Sequence, residues 1–297
     1  MTKTLTKTLT TMESDMQDPA EWFGGVARVM FVHAHPDDES IGTGGTLAGL
    51  SAAGREPLLV TLTRGEQGEV MPGPFSQLQG TEDLAPHRQA ELAAALFMLG
   101  VERHVFLGVE PARAEGLTPI IYEDSGMEWG PDGRAMAAPT AGRDALTNAP
   151  VVEALNDLLA AANEAGAGAI VSYDNGGGYG HPDHVLAHRL GRAVAHALGI
   201  PFWEIVSDEK ERAAIALAAN ASAADASAAD ASDTERNEDL DLECEVHDIE
   251  PWLDRKIAAL RAHVTQLSVE EDEIVHVGGQ RQPIDRLEMF RLLTPPM

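Results

Sequence analysis

The sequence predicts an α/β protein, a Rossmann-like and mostly parallel sheet in a three-layer sandwich, and three observations predict it. Short apolar runs rich in β-branched residues recur along the chain, helix-forming segments follow them, and glycines stand where those segments stop. Strands that alternate with helices pair in parallel, and such folds bind ligands outside the carboxyl ends of their strands.

Taken in order, VARVMFV at 26–32, rich in β-branched and apolar residues, reads as a first buried strand. GGTLAGLSAAG is a helix that ends at Gly54 as its C-terminal cap, and PLLVTLT at 57–63 is the second strand. Residues 84–99 carry helical apolar spacing up to Gly100, so Phe97 and Met98 are expected in the core. A third strand at 104–107, a helix at 151–162, a fourth strand at 169–173, a helix at 182–198 and a fifth strand at 200–206 complete the alternation. DRKIAALRAHV at 254–264 resumes helical periodicity, and the last thirty or so residues read as a strand pair or irregular cover.

Residues 208–250 break the pattern. They include ASAADASAADASD, a near-perfect five-residue repeat, and hold 14 acidic against 3 basic residues. So little apolar surface cannot offset the entropy of ordering, and a disordered acidic insertion is expected there. The first 22 residues, with their KTLT repeat, read as a flexible leader, and 23–297 as a single α/β domain that the insertion interrupts.

The net charge of −27, from 21 basic and 48 acidic residues, argues against nucleic acid or an anionic membrane surface as partner. Cys244 is the single cysteine, so neither an intramolecular disulfide nor a cysteine-built metal site is available. The N-terminus has no apolar core of signal-peptide length and no run of 18 apolar residues occurs, which places the expected location in the cytoplasm.

Two motifs carry the chemistry. HAHPDDES at 33–40 follows the first strand and GYGHPDH at 178–184 follows the fourth, both at strand ends where a shared site would lie. Adjacent carboxylates are costly unless a positive charge faces them. His35 and Asp38, three apart across a turn, can aim at one point, and a second histidine from the neighbouring loop completes a His₂-carboxylate set with an open position. A metal there lets Asp37 and Asp38 stay ionised together and leaves Asp37 free to act as general base on the attacking water. Read singly, each motif is also a helix-capping turn. His33 reads as a buried, hydrogen-bonded core histidine and His188 as a non-ligand; no role is assigned to His247 or His263.

These stretches, together with RGEQGEV at 64–70, HRQAELAAALFMLG at 87–100, EDSGM at 123–127 and YDNGGGYGHPDH at 173–184, resemble the PIG-L/LmbE-like family of zinc-dependent N-deacetylases. Within it the pattern is most similar to the branch acting on N-acetylglucosaminyl-inositol in mycothiol biosynthesis, whose C-terminal motif RAHVTQ at 261–266 matches. The resemblance implies one Zn²⁺ per chain on His35, Asp38 and His184, ligands that would also suit Fe²⁺. It implies Asp37 as general base and His181 as general acid and oxyanion stabiliser, oriented by Asp183. Tyr179 would help polarise the acetyl carbonyl, and Arg88, Asp124 and Gln266 would contact a small amino-sugar substrate. Inside the family a mycothiol S-conjugate amidase, or a deacetylase of another N-acetylated sugar, stays open. Outside it the rival is a nucleotide-binding Rossmann protein, because Gly42, Gly44, Gly45 and then Glu66 mimic the dinucleotide fingerprint. Against that rival, its third glycine position holds Leu47 and the glycines follow the HPDDES turn rather than the strand.

Overall fold

A computed structural model describes residues 18–129, 135–139, 141–225 and 244–293. Five parallel strands run from one edge of a seven-stranded sheet: β1 (Val29–His33), β2 (Leu58–Thr61), β3 (Arg103–Phe106), β6 (Ala169–Ser172) and β7 (Phe202–Ile205). The sheet order is β3-β2-β1-β6-β7-β12-β8, with β12 (Leu287–Leu293) antiparallel to both β7 and β8 (Cys244–Asp248). β4 (Met127–Trp129) pairs antiparallel with β5 (Ala135–Ala137), and β9 (Leu267–Glu270), β10 (Glu273–His276) and β11 (Arg281–Pro283) make a small antiparallel sheet.

The pleat of β1 sends Met30 and Val32 to one face and Val29 and Phe31 to the other, and both faces are buried. On the first face Leu158 of α4 (Val151–Ala165) and Leu190 and Val194 of α5 (Pro182–Leu198) close the core. On the second, Leu47 and Leu50 of α2 (Gly44–Ala52), Leu92, Leu96 and Leu99 of α3 (Leu84–Leu99) and Ala259 of α7 (Leu253–Leu260) do so. This is the three-layer α/β sandwich that the alternation predicts.

Four expectations are corrected. Phe97 and Met98 are 80% and 43% exposed. The buried stripe of α3 runs through Leu84, Arg88, Leu92, Ala95, Leu96 and Leu99, and at about 100° per residue the two side chains swing off it. The insertion is narrower than 208–250: α6 (Glu209–Asp225) is helical, as its alanines favour, with Ile215 buried, and β8 pairs with β12. The part of it at 226–243 lies outside the described residues. The C-terminal segment is more than a cover, since β12 enters the main sheet and buries Met289 and Phe290. Residue 22 is not part of a flexible leader, because Trp22 is buried and stacks on His247 at 4.0 Å; residues 1–17 lie outside the described residues.

Beside β12 a buried ion pair fixes a helix end. Glu288 Oε1 receives Lys256 Nζ at 2.7 Å and the Gly45 N–H at 2.9 Å, while Oε2 receives the Thr46 N–H at 2.7 Å. The carboxylate thus satisfies amides at the start of α2, where the helix dipole favours a negative charge. Among the described residues no helix is long and apolar enough to cross a membrane.

Candidate metal centre

β1 and β6 end side by side, so the loops after them meet. The first turns sharply at Asp37 (φ 107°) into α1 (Asp38–Gly42), and the second enters α5 at Pro182. Three expected ligand atoms converge there. His35 Nδ1 and His184 Nε2 are 3.2 Å apart, and each lies 3.3 Å from Asp38 Oδ2. A tetrahedral zinc with ligands at about 2.0–2.1 Å separates them from one another by about 3.3–3.4 Å. One N–H on His35 Nδ1 cannot serve both neighbours, whereas a cation inside the triangle satisfies all three atoms. The residues therefore fit a divalent metal. A wider ring of donors, His181, Asp124 and Asp183 with His35, also lies within 4.8 Å mutual reach. Its members have other partners, described below, and the tighter triangle is the better cage.

Electrostatics agree. Burial alone would raise the Asp38 pKa, yet His184 and His35 hold it well below the usual carboxylate range. Burial would lower that of His35, yet Asp124, then Asp183 and Asp38, carry it well above the ordinary value. Asp38 is thus held as a carboxylate, and the carboxylates around His35 favour positive charge at this point. Asp37 is pushed up to about 8, first by burial and then by Asp38 beside it.

Groups behind the triangle orient it. His35 Nε2 lies 3.2 Å from Asp183 Oδ2 and 3.5 Å from Asp124 Oδ1, which leaves Nδ1 to the metal. The Tyr173 hydroxyl accepts the Ala34 N–H at 2.8 Å and donates to Asp38 Oδ2 at 2.7 Å, and its ring stacks on His184 at 4.1 Å. His33 is buried as expected, bonded to that hydroxyl and, at 2.9 Å, to Thr43 Oγ1. His188 turns away from the centre to the Tyr173 carbonyl at 3.0 Å.

At His181 the contact with Asp183 runs through the backbone. Its Nδ1 accepts the Asp183 backbone N–H at 3.2 Å as the N-cap of α5, while the Asp183 carboxylate goes to His35 and to the Ser125 N–H at 2.9 Å. Burial, then His35 and His184, lower the His181 pKa to about 3. With Nδ1 accepting from the Asp183 amide, the neutral ring that this shift favours carries its proton on Nε2. Tyr179 sits 58% exposed on a glycine-rich loop, its ring 5.2 Å from that of His184.

The three expected substrate contacts spread around this centre. Arg88 is buried and donates to the carbonyls of Gly65 and Glu69; a Cβ at Gly68 would meet its Nη1 at 2.2 Å, so RGEQGEV wraps the guanidinium closely. The Asp124 carboxylate accepts the Gly126 N–H at 2.8 Å and faces His35. Gln266 Nε2 lies 3.2 Å from His263 Nδ1.

Two residues without an expected role join the site. His263 Nε2 meets Glu39 Oε1, and the other Glu39 oxygen accepts the Asp37 N–H at 3.0 Å. Thr265 donates from its amide and hydroxyl to the two Glu91 oxygens at 2.8 and 2.7 Å, which ties the segment after α7 to α3. The RAHVTQ motif was the signal for both contacts.

The family profile described as PIG-L, GlcNAc-PI de-N-acetylase, matches residues 30–195. The chain belongs to this family. A 1D-myo-inositol 2-acetamido-2-deoxy-alpha-D-glucopyranoside deacetylase of Nocardioides sp. is 37% identical over 288 residues, spanning 89% of this chain and 91% of its own length. One of the same name from Nocardiopsis dassonvillei is 38% identical, spanning 90% and 94%. Among solved structures, the zinc-inhibited form of a teicoplanin deacetylase superposes with a TM-score of 0.56 at 17% identity, covering 91% of this chain and 98% of that one. A deacetylase–teicoplanin complex gives 0.52 at 18%, covering 90% and 98%. At such identities the likeness is one of fold.

Proposed function

We propose that this chain is a zinc-dependent deacetylase that removes the N-acetyl group of N-acetylglucosaminyl-inositol, the 1D-myo-inositol 2-acetamido-2-deoxy-glucopyranoside that its relatives' names specify, in mycothiol biosynthesis. The observation that carries the reading is the triangle of His35 Nδ1, Asp38 Oδ2 and His184 Nε2 with Asp37 beside it. Relatives of that name matching about nine-tenths of the chain support the substrate.

Zinc held by His35, Asp38 and His184 would supply Lewis-acid polarisation of the acetyl carbonyl and bring the pKa of a water toward about 7. Asp37 takes the proton from the attacking water, a contribution of about 10²–10⁴-fold for a placed base. The proton it gains is then at hand for the departing amine. His181 directs Nε2–H at the oxyanion as a neutral donor, and Tyr179, on its glycine loop, adds a second hydroxyl-borne donor. Asp183 and Asp124 fix the His35 ring through Nε2. Arg88 acts on the sugar through the 65–69 loop it holds, with Asp124 and Gln266 as further polar contacts for the hydroxyls of the substrate.

The test is an assay of the zinc-loaded protein on N-acetylglucosaminyl-inositol, a mycothiol S-conjugate and free N-acetylglucosamine, with released amine measured. The expected result is kcat/KM highest for the first by at least about tenfold, about 1.4 kcal/mol of discrimination. A higher value for either of the other two, or no amine from any, overturns the proposal.

A further inference from the structure

The geometry points to a second ligand site, away from the metal, that binds a small phosphate monoester with an apolar or aromatic body. A cavity of about 420 Å³ lies along the outer side of α5. Ile200, Phe202 of β7 and Leu293 of β12 give it an apolar floor, and Arg189, Arg192, His196 and the buried His188 supply its polar wall.

Three features set it apart from a solvated helix face. First, the chain carries −27, yet among the described residues no carboxylate lies within ion-pair distance of Arg189 or Arg192. Residues 189, 192 and 196 follow helical spacing, so three basic groups share one side of α5. Second, His188 is 2% exposed, and its Nδ1 is committed to the Tyr173 carbonyl at 3.0 Å. His188 itself lines the cavity, which leaves its other ring nitrogen, Nε2, available there. Third, the negative charge behind His188 is already compensated: Glu204, 3.4 Å from His188 Nδ1, is paired with Arg291 at 3.0 Å. Two guanidinium forks match the oxygens of a phosphate, the His188 nitrogen offers a hydrogen bond deeper in, and the apolar floor takes the organic group. The size of the cavity suits a ligand of a ring or two rather than a macromolecule.

Isothermal titration calorimetry of the full-length, zinc-loaded protein with phenyl phosphate, inorganic phosphate and phenol tests this. Phenyl phosphate is expected to bind once per chain, at least about tenfold more tightly than either fragment. The double substitution Arg189→Glu with Arg192→Glu is expected to weaken it at least about tenfold while deacetylation and the circular dichroism spectrum stay unchanged. Leu293→Glu, which charges the floor without touching the arginines, is expected to do the same and serves if the double variant misfolds. Equal binding of the three probes, binding unchanged in both variants, or no binding at millimolar phenyl phosphate overturns the proposal. So does binding that disappears only when zinc is chelated, which locates the ligand at the metal.

Discussion

His263 Nε2 lies 2.9 Å from Glu39 Oε1 with both side chains wholly buried, 224 residues apart in sequence. Because the second Glu39 oxygen holds the Asp37 amide at its positive φ, the segment after α7 reaches the proposed base through one intermediary. His263→Ala strands a buried carboxylate, which costs about 3–5 kcal/mol. It is expected to lower the melting temperature markedly and to reduce kcat more than KM. Glu39→Gln, which keeps shape and a donor, should recover part of the stability when combined with it; thermal melts and steady-state kinetics of the single and double variants check this.

The same pair sets a pH window. His263 is raised mainly against its own burial, by Glu39 and then Asp37, so its stabilisation is full below about 6.5 and is lost as pH rises through the raised folded value. Glu39 is lowered against burial by His263, so its contribution is full above the ordinary glutamate value and is lost as pH falls through the lowered one. Melting temperature against pH should fall off on both sides in the native protein and flatten in the Glu39→Gln, His263→Ala double variant.

Asp37→Asn tests the base. Asparagine tolerates positive φ and keeps the shape, so the fold and zinc content are expected to survive while kcat drops by about 10²–10⁴. Metal analysis beside single-turnover kinetics checks it, and loss of zinc would show Asp37 to be a ligand instead.

For His181, a pKa lowered to about 3 means that the ring stays neutral across the range from pH 5 to 8. ¹⁵N chemical shifts of the imidazole are expected to report a constant Nε2–H tautomer there, with no titration near 6.5. His181→Ala should cost about 10²–10³ in kcat, the loss of one oxyanion donor, without moving the alkaline limb of the pH profile.

Tyr173→Phe removes a hydroxyl that serves Ala34 and Asp38 at once. With His33 Nδ1, which also meets that hydroxyl, three buried groups are left short, for about 1–3 kcal/mol of stability, and zinc affinity is expected to weaken about 10–100-fold. Competition with a chelator of known affinity measures the second effect. Stripping zinc from the native protein should abolish turnover and lower the melting temperature, since the cation binds the folded chain alone.

The metal triangle was legible because its members are local. His35 and Asp38 stand in one turn, His184 in another, and the strand–helix alternation places both turns at neighbouring strand ends. Tyr173 and Glu39 were on view inside quoted motifs, yet their roles come from contacts across 135 and 224 residues, which periodicity does not encode. Asp183 was readable as the neighbour of His181, but not that it acts through its backbone amide, since a histidine at an N-cap finds the amide two residues on and the HPDH spelling does not specify the atom. Composition misled at 209–225 and 244–248, where alanine favours helix and Val246 needs only one buried neighbour on an edge strand to be held. In α3 the apolar count was right and the phase was wrong for Phe97 and Met98.

The Glu288 clamp on α2 has an engineering corollary. A fragment cut at the family boundary, residues 30–195, keeps His35, Asp38 and His184 but discards Glu288, Lys256, His263 and Gln266. The Gly45 and Thr46 amides clasped by Glu288 would face solvent and the turn bearing Asp37 would lose its brace, so the excised piece is expected to bind metal on a loosened scaffold. Chimaeras that swap catalytic halves between relatives must therefore carry their own tails with them, because the far end of the polypeptide is what keeps the near end in shape.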